Sequence, residues 1–221
     1  MPAGDAGKVG FLHTAEAHAP VFNHLVALQA PDVAVVHRVR PDLLARAREE
    51  GLSARVERDF SQSVLELRDD GCTAVSCTCS TLGPLAERLD IDGLFLHRID
   101  RAAADQCMEY GSVLVVVALA SAGESAGQLL DQSRASLAAM TSWRVMTVPD
   151  AWSLFESGDL AGYRRLVADF CNVAGVGYDA VFLAQASMLG AEAQCDHPVV
   201  LTSPAAGVRR LLASRSNPTT D

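Results

Sequence analysis

The sequence predicts an α/β protein made of two similar halves, each a parallel sheet covered by helices on both faces. Three observations predict it. Short β-rich apolar runs alternate with segments of helical periodicity. The strand candidates are near-continuous Val/Leu runs, the pattern of strands buried on both faces. A strand-turn-helix segment also recurs: Gly71-Cys-Thr-Ala-Val-Ser-Cys-Thr-Cys-Ser-Thr-Leu-Gly is echoed, from Gly177, by Gly-Tyr-Asp-Ala-Val-Phe-Leu-Ala-Gln-Ala-Ser-Met-Leu. Gly, Ala and Val coincide, and Thr81 meets Ser187. The strands opening each half, Val9–His13 and Ser112–Leu119, lie at about the same offset.

The elements follow in order. Val9–His13 reads as a buried strand, and Val21, Phe22, Leu25, Val26 and Leu28 recur at helical spacing. Val33–Val39 is a second strand, and Pro41 opens a helix where its missing N–H costs nothing. Phe60, Val64 and Leu67 mark a helical stripe stopped by Gly71. Ala74–Thr78 is a strand, Leu82–Leu89 a helix, Gly93–His97 a strand and Arg101–Glu109 a helix. Ser112–Leu119 is the most apolar strand, with a helix over Gly127–Met140 and a strand over Trp143–Val148. Leu166, Val167, Phe170, Val173 and Ala174 form another helical stripe. Ala180–Ala184 and Val199–Thr202 are strands, Gly207–Ser214 closes with a helix, and the tail Asn217–Asp221 is expected to fray. The halves are expected over residues 1–99 plus 203–221 and over 100–202.

A net charge of −9 offers no basic face to displace counterions from a phosphate backbone, so nucleic acid is not an expected partner. The apolar run Gly111–Gly123 is too short to span a bilayer, so no membrane is expected either. The opening residues show no secretory pattern, six cysteines are too sparse for a disulfide framework, and a cytoplasmic protein with reduced thiols is expected. No phosphate-binding glycine loop occurs and no second Cys/His pair stands at ligand spacing, so neither a nucleotide cofactor nor a metal is expected.

In such sheets ligands sit beyond the carboxyl ends of the strands, which makes His13–Ala17, Cys79–Gly83, Ser121–Ser125 and Gln185–Leu189 the candidate loops. If the halves face each other, all four line one cleft. Cys79 follows a strand where the next helix begins, so helix N–H groups could stabilise its thiolate as nucleophile or base. Cys77 is an alternative reactive thiol, because the Cys-Thr-Cys stretch can be aligned two residues earlier. His18, His24, His37, His97 and His197 read as surface or helix-face residues.

At these residues the chain resembles the aspartate/glutamate/hydantoin racemase superfamily. In that family two α/β halves related by a pseudo-twofold each present a cysteine, after patterns like G-x-D-x-I-x-x-x-C-N-T and G-x-D-x-I-x-L-x-C-T, with the active site in the cleft between them. The first pattern places the cysteine at Cys79, with Ser80 and Thr81 following; the second falls on Gln185, with Asp179 matching. The resemblance implies a cofactor-independent isomerase-type enzyme of amino-acid metabolism, moving protons at the carbon of a small carboxylate. Gln185 cannot exchange a proton near neutral pH, so the two-thiol racemisation is not expected. Relatives that use one thiol to protonate a carbanion after decarboxylation, or to isomerise unsaturated diacids, give the alternatives. The resemblance makes Cys79 catalytic and His13, Thr14, Ser80, Thr81, Ser121, Ser125, Gln185, Ala186, Ser187 and Thr202 substrate-binding. A protein that keeps the fold but only binds a small carboxylate is the competing reading, and homo-oligomerisation is left open.

Overall fold

The computed structural model describes residues 7–215, so the expected fraying of Asn217–Asp221 lies outside the described residues. The chain divides into two compact units, Met1–Ile99 with Pro204–Asp221, and Asp100–Ser203.

The first unit holds β1 (Lys8–His13), α1 (His18–Gln29), β2 (Val35–Val39), α2 (Pro41–Glu50), α3 (Ala54–Asp69), β3 (Cys72–Cys77), α4 (Gly83–Arg88) and β4 (Phe95–Arg98). Its four strands are all parallel in the order β2-β1-β3-β4. Phe11, Phe22, Phe60, Val64 and Leu67 are fully buried around this sheet, the burial on both faces that the Val/Leu runs predict. The Ser53 hydroxyl caps α3 by accepting from the Val56 N–H at 3.3 Å.

The second unit holds α5 (Arg101–Cys107), β5 (Ser112–Val117), α6 (Ala120–Leu137), β6 (Ser142–Thr147), α7 (Ala151–Glu156), α8 (Leu160–Ala174), β7 (Ala180–Leu183) and β8 (Val200–Thr202). Its sheet is also parallel, in the order β6-β5-β7-β8. The final helix, α9 (Ser203–Ser214), belongs from Pro204 onward to the first unit. There Gly207 packs so closely that a Cβ would sit 2.3 Å from the Ile99 carbonyl oxygen.

The echo in sequence is an echo in register. Val9 pairs Ala74 in the first sheet as Val113 pairs Ala180 in the second, and Cys77 pairs Arg98 as Leu183 pairs Thr202. The two repeat glycines, Gly71 and Gly177, have φ of 92° and 89°, a left-handed turn that glycine enters without a Cβ penalty. Asp179, the acid of the second motif, works at the opposite end of the sheet from any carboxyl-end site. Its carboxylate accepts from the Ser112 N–H at 2.8 Å and from the Ser112 hydroxyl at 2.9 Å, tying the start of β7 to the start of β5.

Two expectations are corrected. Ser121–Ser125 is not a loop, because α6 starts at Ala120. Ala122, Gly123, Ala126, Leu129 and Leu130 form its buried stripe, and a Cβ at Gly123 would meet Val145 at 3.2 Å. Close packing on the sheet thus selects residues whose local preference is for turns. The short helix α7 is absent from the sequence reading altogether; its Trp152 and Phe155 pack on the core of the second unit.

Candidate active site

In each sheet the strand order reverses between the first and third strands of that unit, so a crevice opens at their carboxyl ends. In the first unit those ends are His13 on β1 and the segment following Cys77 on β3. In the second they are Val117 on β5 and the segment following Leu183 on β7.

At the first crevice β3 ends at Cys77, and Cys79 stands in the connection to α4. The chain turns there, with the Leu82 N–H donating to the Cys79 carbonyl at 3.1 Å and the Gly83 N–H to the Ser80 carbonyl at 3.3 Å. Thr78, Cys79, Ser80, Thr81 and Leu82 are all buried, Cys79 with 8% exposure. Helix α4 begins only at Gly83 and has six residues, so Cys79 lies a full turn ahead of it rather than on its first N–H groups. The two thiols of the Cys-Thr-Cys stretch have different surroundings. Cys77 lies within β3, 1% exposed, and its S–H donates to the Cys79 carbonyl at 3.6 Å. Cys77 therefore braces the loop that carries Cys79. Among the described residues no group of three or more His, Cys, Asp or Glu side chains converges so as to hold a metal ion.

His13 ends β1, fully buried, and Thr14 follows it, 7% exposed. The His13 ring bridges two strands: its Nδ1 lies 2.8 Å from the Thr78 hydroxyl and its Nε2 lies 2.8 Å from His37 Nδ1. The His37 Nε2 in turn lies 2.9 Å from Asn23 Oδ1. His18 packs edge-on against His13, with ring centroids 5.9 Å apart. The sequence reads His18 and His37 as surface or helix-face residues; His18 does lie on α1 but is buried at 9% exposure, and His37 is a half-buried strand residue of β2. His97, on β4, is likewise buried.

Burial holds the His13, His18 and His97 rings neutral and shifts the half-buried His37 in the same direction. Desolvation, aided by the neighbouring His18 and His37, lowers the His13 pKa to about 2, and desolvation alone lowers that of His18 to about 4. Desolvation, helped by Arg210, lowers that of His97 to about 3. In the unfolded chain each ring titrates near 6.5. Below that pH the unfolded chain binds protons that the folded chain refuses, so the stability of the first unit falls as pH drops from 6.5 toward these lowered values. Each ring can contribute up to about 2 kcal/mol of destabilisation at pH 5. The urea midpoint of the first unit is expected to fall clearly between pH 7.5 and pH 5, and His18→Phe should shallow that fall; equal midpoints at the two pH values would contradict it.

Arg98, at the end of β4, was not legible as a site residue. Its side chain is 2% exposed and pairs with Glu87 at 3.3 Å. It packs so tightly on Gly83 that a Cβ there would meet the guanidinium at 2.7 Å. A buried guanidinium thus seats the first residue of α4 behind the Cys79 loop.

At the second crevice Gln185 follows β7, 8% exposed, and the next residues form a 3-10 turn, Ala186–Met188. The Gln185 side-chain oxygen accepts from the Ala118 N–H and, at 3.2 Å, from the Leu119 N–H. The amide carbonyl is therefore spent on the turn between β5 and α6, and the group it leaves to a ligand is its donating NH2. Ser187, in the 3-10 turn, shares a 2.8 Å hydrogen bond with the buried Tyr163 hydroxyl, whose pKa desolvation raises to about 12. Thr202 pairs with Leu183 at the end of β8. Within each unit, then, expected residues gather at the carboxyl edge of the sheet. His13, Thr14, Cys79, Ser80 and Thr81 do so in the first unit, and Gln185, Ala186, Ser187 and Thr202 in the second. Ser121 and Ser125 instead lie along the first turns of α6, with Ser125 on its buried face.

No family model matches the chain, and no curated protein matches it. Solved structures do. The aspartate racemase of Picrophilus torridus superposes with a TM-score of 0.74 at 15% identity, covering 95% of this chain and 95% of its own. The glutamate racemase of Francisella tularensis, solved with D-glutamate, gives 0.70 at 12% identity over 95% of this chain and 81% of its own. The glutamate racemase of Aquifex pyrophilus gives 0.62 at 16% identity over 96% and 84%. The chain thus has the fold of the aspartate and glutamate racemases, two similar α/β halves with parallel sheets, as the resemblance of its motifs implies. No helix among the described residues is long and apolar enough to cross a membrane.

Proposed function

We propose that this protein is a racemase-like, cofactor-independent thiol enzyme that moves a proton at the carbon of a small carboxylate, with Cys79 as its sole acid/base thiol. The observation that carries the reading is the asymmetry of the two sheet ends. Equivalent positions after β3 and β7 hold a buried thiol, Cys79, and a glutamine, Gln185, whose oxygen is already bound to backbone donors. A thiol can give or take a proton; an amide cannot near neutral pH.

In the decarboxylative form of the reaction the bond from the α-carbon to one carboxylate breaks and CO2 leaves. The electron pair stays on the α-carbon as an enediolate, and the Cys79 S–H protonates that carbon on one face. The thiolate then regains a proton from solvent. In the isomerising form the Cys79 thiolate adds to one alkene carbon of an unsaturated diacid, and the electron pair of the double bond moves onto the neighbouring carboxylate as an enediolate. The new single bond rotates, and expulsion of the thiolate restores the double bond in the other geometry. In the second unit the Gln185 NH2 is the proposed hydrogen-bond donor to a carboxylate or enolate oxygen, with Ser187 and Thr202 at the same sheet end; in the first unit Thr14, Ser80 and Thr81 are the proposed partners for substrate oxygens. Ser121, Ser125 and Ala186 complete the proposed binding set.

A carboxylate-binding protein without turnover is the second reading, favoured by the engagement of the Gln185 carbonyl with its own chain. Incubation with aspartate, glutamate and a 2-substituted malonate in D2O separates the two. Deuterium entering at carbon supports the enzyme, whereas calorimetric binding of one of these compounds without deuterium uptake supports the binder.

A further inference from the structure

We propose that His37, His13 and Thr78 form a proton relay from the half-buried His37, which Asn23 on α1 holds in place, to the residue preceding Cys79, and that it works by reversing the direction of its hydrogen bonds. The purpose of the relay rests on the thiol chemistry proposed above, but its existence does not.

The chain is continuous: Thr78 Oγ1 to His13 Nδ1 is 2.8 Å, His13 Nε2 to His37 Nδ1 is 2.8 Å, and His37 Nε2 to Asn23 Oδ1 is 2.9 Å. Its inner end is dry, with Thr78 1% and His13 0% exposed, while Asn23 is exposed. Phe11 stacks on His37 at 5.6 Å and Phe22 lies 5.4 Å from His13, so apolar rings flank the path. The sheet builds it, because His37 pairs with Phe11 and so lies two residues from His13 along the same face.

Counting donors leaves two complete arrangements. With both rings neutral, the Thr78 hydroxyl donates to His13 Nδ1, the His13 Nε2–H to His37 Nδ1, and the His37 Nε2–H to Asn23 Oδ1. With His37 protonated, both its N–H groups donate, outward to Asn23 and inward to His13 Nε2. The His13 Nδ1–H then donates to Thr78, and the Thr78 hydroxyl turns to the Leu12 carbonyl, 3.3 Å away. Every donor and acceptor is satisfied in each state. Passing from the second to the first moves one proton inward: His37 gives its Nδ1 proton to His13, His13 gives its Nδ1 proton to Thr78, and the Thr78 hydroxyl turns from the Leu12 carbonyl and gives its own proton to a base. The base this proposal assigns is the Cys79 thiolate left by protonating a carbanion, the next residue along the chain from Thr78. The groups then turn over to reload from solvent.

The charge sits on His37 rather than His13, in keeping with the deeper burial of His13. Other titratable or charged groups on the surrounding elements are His18, buried beside His13, and the exposed His24 on α1. On β2 and just after it, Arg38 pairs with Asp70 and Glu66, and Arg40 pairs with Asp42. No carboxylate hydrogen-bonds to either ring of the relay among the described residues.

The test is tautomer-sensitive proton–nitrogen NMR of protein labelled with 15N-histidine, titrated downward from about pH 8. The expected result is that His13 stays neutral while His37 titrates, and that it switches from the Nε2–H to the Nδ1–H form as His37 becomes charged. His37→Phe should abolish the switch; if that variant does not fold, Asn23→Ala should erase the preference of neutral His37 for its Nε2–H form. A single unchanging His13 tautomer, or a doubly protonated His13 beside neutral His37, would overturn the relay. Cys79→Ala should leave the switch intact, so failure of the thiol chemistry and failure of the relay are read separately.

Discussion

Cys79→Ala is expected to lower deuterium incorporation at substrate carbon by about 10²–10⁴-fold, the usual cost of removing a general acid/base. Cys79 is the loop thiol at the switch-point crevice, and Gln185 offers no proton to take over its part. The substitution removes one sulfur from a loop that its own turn hydrogen bonds and the neighbouring Cys77 hold in place, so the fold should persist. Cys77→Ala is the matching control, since Cys77 braces the loop from within β3: it should loosen the loop without removing the reacting group. Undiminished exchange in Cys79→Ala, read by mass spectrometry of the product, would refute the assignment of the site.

Gln185→Cys should change the stereochemical course. The Ala118 and Leu119 N–H groups that now hold the glutamine oxygen would be released to an introduced sulfur. Backbone donors of this kind favour the thiolate. A second acid/base group should raise exchange on the second face of a substrate carrying an α-proton by at least about 10-fold, within the range that such groups contribute. The measurement is optical rotation of single-enantiomer aspartate or glutamate against time. Decay toward the racemate with the variant and not with the unaltered protein is the expected outcome; the same rate for both would show that Gln185 does not hold the position of a second base.

Much of the architecture was legible because it follows from local rules. The Val/Leu runs of β1, β3, β5 and β7 announce strands buried on both faces, and Gly71 and Gly177 mark the same left-handed turn twice. What escaped the sequence is decided by packing. Ser121, Gly123 and Ser125 carry turn preferences, yet they form the start of α6 because Val145 and Val117 press against Gly123. His37 shows no local sign of function. Its partner His13 is 24 residues away, and only the parallel register of β1 and β2 sets both rings on one face. Arg98 follows a strand as an ordinary charged residue would, and its burial against Gly83 and Glu87 appears only once α4 is in place. For Gln185 the position was legible from the repeat, whereas the capture of its oxygen by the β5–α6 turn depends on how two strands end side by side.

The most direct measurement of the one-thiol account is the stereochemistry of proton exchange by the unaltered protein in D2O, with aspartate, glutamate and a prochiral 2-substituted malonate as probes. The account predicts deuterium placed on a single face, giving one enantiomer of product and no racemisation on the timescale of turnover. Rapid exchange on both faces, with the product racemic from the first turnovers, would contradict it.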